Sequence, residues 1–119
     1  MENMAIGYST SSPSMYAGIR YAGRLASDPL NNLSQGEAVM TNGAGAQLTT
    51  WWGDYTMTTI DPVDGISFWH TNEYYPATTD HSWFTRVGKF QFAAASPTPT
   101  PTPRPSPTPR PRPSPAPRP

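Results

Sequence analysis

The sequence predicts an all-β fold of antiparallel sheets, and three observations support this prediction. Apolar and polar residues alternate with a period of two over several short stretches, as in strands that bury one face. These stretches are separated by segments rich in Gly, Pro, Asn and Asp, the residues of turns. No useful length of the chain has the i, i+3, i+4, i+7 apolar spacing of an amphipathic helix.

Taken in order, the alternating stretches predict six strands, over residues 4–8, 15–22, 37–41, 55–60, 66–72 and 83–92. The polar run Ser-Thr-Ser-Ser-Pro at 9–13 is expected to break the chain between the first two strands. Asp61-Pro62 is expected to start a turn between the fourth and fifth strands. Asp64-Gly65 then supplies residues that tolerate left-handed backbone and reverse the chain.

Composition divides the 119 residues into a folded part, 1–95, and a Pro-rich tail, 96–119. Every second residue of the tail is proline, which accounts for 12 of the 16 prolines. The tail is therefore predicted to be a disordered, polyproline-II-like spacer that reaches roughly 75 Å. Because no two of its prolines are three residues apart, it has no PxxP motif for an SH3-type partner.

Charge and composition also narrow the function classes. The folded part has four basic and eight acidic side chains, a net charge of −4, which argues against nucleic acid as a partner. The chain has no cysteine for a disulfide or a thiolate metal site, and no cofactor is expected. Neither a membrane-spanning apolar run nor a signal peptide is recognised in it.

A faint internal repeat is visible in the folded part. Residues 19–25 and 85–90 share an arginine, a short apolar stretch, a glycine, a basic residue and a large apolar residue. A period of 65 residues in an all-β chain is typical of repeated sheets such as propeller blades. The alternative is that this pattern is simply common in edge strands.

Residues 51–75 hold the candidate functional residues, because three of the four tryptophans lie there beside several polar side chains. Aromatic rings with polar tips form platforms that stack on sugars or peptides. The platform considered comprises Trp51, Trp52, Tyr55 and Trp69 with Asp54, Asn72 and Glu73. Phe68 and Trp69 are better explained as core residues, so the predicted ligand-binding residues are Trp51, Trp52, Asp54 and Tyr55.

Catalytic and metal sites were also considered, and none is predicted. Glu73 beside Tyr74 and Tyr75 offers the residue types of a glycosidase, but neighbours on a strand point to opposite faces. Asp61 and Asp64, with Asp54, could bind calcium, although turn carboxylates more often cap backbone N–H groups. His70 and His81 lack a zinc-site spacing, and His70 is expected to be a partly buried strand residue.

The turn region resembles the Asp-box of sialidase-like propellers. Residues 59–62 match its first half and residues 65–68 its second, with Val63 and Asp64 as a two-residue insertion. In that motif the aspartate caps a hairpin turn and the aromatic residue packs beneath it, so the implied role is structural.

A wider resemblance covers residues 3–92. The segments that carry the resemblance are, in chain order, NMAIGYSTSS, IRYAGRLASDPL, QGEA, WGDYTMTTIDPVDGISFWHTNEYY and WFTRVGKFQF. They resemble the C-terminal end of large exported bacterial proteins with sialidase-like β-propeller repeats, several of which continue into Thr/Pro-rich linkers. Related sequences often have cysteine near Ile66 and tyrosine at His70, so this chain departs from them there.

This resemblance implies a partial β-propeller of about one and a half to two blades, with Met1 as an internal or truncated start. The implied partners are the remaining blades of a longer parent protein, and possible ligands are a glycan or a peptide. The implied location is secreted or at the cell surface. We expect a non-catalytic structural or recognition role there. The alternative is a part of a sialidase-like glycoside hydrolase whose catalytic residues lie mostly outside this chain.

Overall fold

A computed structural model describes residues 2–93, in which six strands form two three-stranded antiparallel sheets. The first sheet has the order β1-β2-β3, with β1 Met4–Ser12, β2 Met15–Arg24 and β3 Glu37–Thr41. The second has the order β4-β5-β6, with β4 Met57–Ile60, β5 Phe68–Tyr74 and β6 Phe84–Phe90. The predicted all-β class with antiparallel sheets is thus confirmed. Within residues 2–93 no helix is long and apolar enough to cross a membrane. The predicted spacer at 96–119 lies outside the described residues.

Most strand boundaries differ from the prediction by one or more residues, and two of the differences have a clear physical reason. The polar run after Tyr8 does not break β1, which continues to Ser12 because Ser9 pairs with Ile19 and Ser12 with Met15 across the hairpin. Strand β5 begins at Phe68 rather than at residue 66. The backbone N–H groups of residues 66 and 67 donate to the side chain of Asp64 instead of to a neighbouring strand.

The two sheets lie face to face, and small or polar residues allow close contact at their centre. Gly7 of β1 lies directly against the ring of His70 in β5, where a Cβ would lie 2.3 Å from the ring atoms. Next to it, the Asn72 amide donates to Ser9 Oγ at 3.1 Å. His70 is only 1% exposed, so it is more deeply buried than expected, and its burial lowers the pKa of the ring.

Aromatic rings close one end of the sheet interface. Tyr21 stacks on Phe90 with ring centroids 4.0 Å apart, and Phe68 lies 5.8 Å from Phe90. Phe92, just beyond β6, contacts both phenylalanines at 6.0 and 5.8 Å. Phe68 therefore belongs to the core, as predicted. The complete buried apolar set of the described residues is Ala17, Ile19, Ala22, Leu25, Phe68, Tyr75 and Phe90.

The segment that links the two sheets is held against the chain just after β5. The N–H groups of Ala44 and Gly45 both donate to the carbonyl of Tyr75, at 2.8 and 3.2 Å. Farther along, Leu48 N donates to Thr79 O, and Gln47 forms a parallel bridge with Thr79. These bonds position residues 51–55, which follow immediately, over the end of β5.

The two copies of the sequence repeat occupy different places in the sheets. Residues 19–25 lie mostly in β2, the central strand of the first sheet, whereas residues 85–90 lie in β6, an edge strand of the second. The glycines of the two copies also meet different neighbours, Phe92 at Gly23 and Met40 at Gly88. The similarity therefore does not mark equivalent strands of the two sheets.

Candidate functional site

An aromatic cleft of about 160 Å³ lies at the end of the second sheet. It gathers all four predicted ligand-binding residues, Trp51, Trp52, Asp54 and Tyr55, with Gly53, Glu73, His81 and Trp83. The volume is smaller than the ~300–1,000 Å³ of pockets for drug-sized ligands, so the cleft can hold about one ring or one short functional group. The four residues predicted from the sequence therefore line one cleft.

Trp51 and Asp54 form the outer part of the cleft. The Trp51 indole N–H donates to Asp54 Oδ2, which ties the two ends of this short non-strand segment together. The Trp51 ring is 65% exposed and that of Tyr55 69% exposed. An exposed aromatic ring that a local hydrogen bond fixes in place, as at Trp51, gives contact area to a ligand at a small entropic cost.

Gly53 and Glu73 form the inner part of the cleft. Gly53 has a φ of +92°, a left-handed conformation that favours glycine. In this conformation its N–H donates to Glu73 Oε2 at 2.9 Å. Glu73 lines the cleft although it is only 1% exposed. Its other oxygen, Oε1, and Trp52 Nε1 are both buried without a hydrogen-bond partner among the described residues.

Sequence reasoning missed Trp83 and His81, which also line the cleft. Both precede β6, and the register pairs Phe84 with Tyr74 at the end of β5. The chain just before β6 is therefore brought beside the chain just after β5. The sequence did contain a signal for these two residues. If the last two predicted strands pair in antiparallel fashion, the start of the sixth lies beside the end of the fifth.

Two residues of the sequence platform lie elsewhere. Asn72 is buried between the sheets with Ser9. Trp69, predicted to be in the core, is 37% exposed on the outward face of the second sheet. There its indole N–H donates to Asp61 Oδ2 at 3.0 Å, and Lys89 Nζ lies 5.6 Å from the ring centroid.

The carboxylates of Asp61 and Asp64 cap backbone N–H groups, which is the role that the sequence offered as the alternative to calcium binding. Asp61 Oδ1 accepts from Val63 N, and Asp64 Oδ1 from two backbone N–H groups at 2.8 and 2.9 Å. Lys89 Nζ lies 2.5 Å from Asp61 Oδ2 and 3.1 Å from Asp64 Oδ2. The hydrogen bond from Lys89 lowers the pKa of Asp61, and the backbone hydrogen bonds lower that of Asp64. Within residues 2–93 no group of three or more His, Cys, Asp or Glu side chains could hold a metal.

The residue types of a glycosidase do not converge at β5. Glu73 reaches Gly53 on one face of the strand, whereas Tyr74 faces the other way and contacts Phe84 with ring centroids 6.2 Å apart. Tyr75 is fully buried, and its hydroxyl donates to Asp80 O at 3.2 Å. The alternation of faces expected from the sequence is present here.

A second, more polar cleft of about 460 Å³ adjoins the first and shares Trp52 with it. Three serines at the tip of the β1–β2 hairpin line it, Ser11, Ser12 and Ser14, together with the side chain of Gln47. A ligand longer than one ring could therefore extend from the aromatic cleft past Trp52 to a wall of hydroxyl groups.

Comparison of the chain with protein-family models, with curated proteins and with solved structures finds no match.

Proposed function

We propose that this chain is a non-catalytic recognition module that binds a glycan in its aromatic cleft. The observation that carries the proposal is the cleft itself, which exposed aromatic residues line together with Glu73, a buried residue whose Oε1 has no hydrogen-bond partner within residues 2–93. Sugar rings present apolar C–H faces that stack on aromatic side chains, and hydroxyl groups that donate to carboxylates. The adjoining serine-lined cleft supports an oligosaccharide rather than a single sugar.

The hydrolase alternative is less well supported by the geometry. A sialidase-like site requires clustered arginines for the substrate carboxylate, and no arginine of the described residues lines the aromatic cleft. Arg20 and Arg24 are buried on the outward face of the first sheet, where Arg20 faces Glu37 at 3.6 Å. Tyr74, the neighbour of Glu73 on β5, faces away from the cleft toward Phe84.

We further propose that the two sheets are blades of a sialidase-like propeller in a longer exported bacterial protein, secreted or held at the cell surface. Two stacked antiparallel meanders support this architecture, although propeller blades have four strands and each sheet here has three. The turn at Asp61 supports it too, because its carboxylate caps the hairpin and Phe68 packs in the core beneath. The location rests on the sequence resemblance alone.

The glycan proposal is tested by titrating the whole chain with oligosaccharides and following tryptophan fluorescence. We expect at least one neutral or amino-sugar oligomer to change the emission, and Trp51→Ala to weaken binding about tenfold, the loss of roughly 1.4 kcal/mol of stacking. Trp69→Ala is the matched control, because Trp69 is partly exposed but lies outside the cleft. If no glycan alters the emission of the unmodified chain, the proposal is wrong.

The blade proposal predicts that the isolated chain associates. The outward faces expose Met4, Ile6 and Val39 on the first sheet and Met57, Trp69 and Val87 on the second. Neighbouring blades would cover such faces, and without them apolar patches promote self-association. We expect sedimentation velocity to show an average mass that increases with protein concentration. The double variant Met57→Lys/Val87→Lys should reduce this self-association, whereas Leu48→Lys should leave it unchanged. A strictly monomeric chain with a cooperative thermal transition would contradict the proposal.

A further inference from the structure

The Glu73 carboxylate in the aromatic cleft is incompletely paired. Its Oε2 accepts one backbone N–H, whereas its Oε1 has no partner in the part of the chain that the structure describes. The side chain is nevertheless only 1% exposed, so water compensates little of its charge. Burying a carboxylate without a full set of partners is costly, and a ligand group that donates to Oε1 would remove that cost.

The surroundings of Glu73 favour a cation as that donor. Four aromatic residues line the same cleft, Trp51, Trp52, Tyr55 and Trp83. The faces of tryptophan and tyrosine rings attract ammonium groups. Asp54 adds a second carboxylate. Among residues 2–93, no lysine or arginine lines the cleft, and the one histidine there, His81, has a side chain that is 58% exposed, with Nδ1 3.8 Å from Asp80 Oδ2. In the described part of the chain, the cleft thus combines two carboxylate side chains and aromatic faces with no lysine or arginine to pair with them.

We propose that the cleft selects an amino sugar, a hexosamine residue with a free, protonated amino group. The ammonium N–H donates to Glu73 Oε1 while the sugar ring stacks on the exposed aromatic side chains. Asp54 and Glu73 repel sugars with a carboxylate, and an acetylated amine carries no charge for Glu73 to pair with. This inference rests on the proposed function, since it names the chemical class of the glycan.

The test compares three β-1,4-linked trisaccharides that differ only at C2, with amino, acetamido or hydroxyl groups. The whole chain is titrated with each at about 0.15 M salt, where exposed charges more than about 8 Å apart are largely screened. We expect the glucosamine trimer to bind at least about tenfold more tightly than either of the others. Glu73→Gln, which keeps the shape and removes the charge, is expected to reduce this preference to about twofold or less.

Two further variants keep the result interpretable. Asp54→Asn, at an exposed position that does not threaten folding, is expected to weaken the preference for the amino sugar as well. Glu37→Gln removes a carboxylate on β3, outside the cleft, and is expected to leave the preference intact. Equal binding of all three trisaccharides, or an unchanged preference in both cleft variants, would overturn the amino-sugar inference while the glycan proposal stands. If the chain binds none of the three trisaccharides and no other glycan, both the amino-sugar inference and the glycan proposal are wrong.

Discussion

Tyr75→Ala is expected to lower the free energy of unfolding by about 3–5 kcal/mol, the range for removing a fully buried aromatic side chain. Tyr75 is 0% exposed, and its ring lies 6.2 Å from that of Trp52, at a tilt of 56°. The substitution leaves a cavity between the linking segment and the end of β5. It also removes the packing that supports Trp52, so the aromatic cleft should loosen as the chain is destabilised.

Urea denaturation at fixed protein concentration, followed by circular dichroism, measures this loss. Tyr75→Phe keeps the ring and removes only the hydrogen bond to Asp80 O, so it should cost about 1 kcal/mol. Tyr16→Ala deletes a tyrosine that is 52% exposed, and its effect should stay within about 0.5 kcal/mol. A loss of less than about 1 kcal/mol for Tyr75→Ala would show that the residue is not a core residue.

Gly7→Ala is expected to cost about 1–3 kcal/mol, although it adds a single methyl group. The new Cβ would lie 2.3 Å from three ring atoms of His70. The ring cannot easily move away, because His70 Nδ1 lies 3.0 Å from Met57 O and 2.9 Å from Thr58 Oγ1. The two sheets would have to separate, since protein interiors are packed too densely to absorb the overlap.

A double-mutant cycle with His70→Ala isolates the cause of this loss. Once the ring is removed, Gly7→Ala should cost far less, so the two substitutions should be strongly non-additive. Measurements at pH 7 keep the comparison simple, because burial lowers the pKa of His70 and its ring is neutral there. An equal cost of Gly7→Ala with and without the ring would refute the proposed contact between the sheets.

Both predictions depend on features that strand patterning could not supply. The pattern identified β1 and β5 as strands, but nothing in it indicated that Gly7 and His70 face each other, because their contact joins residues 63 positions apart. The DPVDG turn is different. Its capping by Asp61 and Asp64 involves only local hydrogen bonds, so turn chemistry predicted its position, and Gly65 adopts the left-handed φ of +66°.

In the candidate site, too, local features could be predicted from the sequence and long-range contacts could not. Trp51, Trp52, Asp54 and Tyr55 are close in sequence, so their proximity in one cleft could be predicted. The sequence could not show that Glu73 is buried in the same cleft, because that burial depends on the packing of the linking segment against β5. Similarly, Trp69 was predicted to be in the core, but it lies on an outward face where Asp61 and Lys89 hold it.

The sequence by itself determined that this chain is all-β, where its six strands and main turn lie, and which short segment holds the aromatic ligand-binding candidates. These properties follow from local rules, the two-residue period of the pleat and the backbone preferences of turn residues. The tertiary structure alone decided which faces meet, how far β1 extends and which carboxylate oxygen in the cleft has no partner within residues 2–93. Those outcomes depend on pairing between distant segments, and small changes in register or stacking reverse which side of a strand is buried.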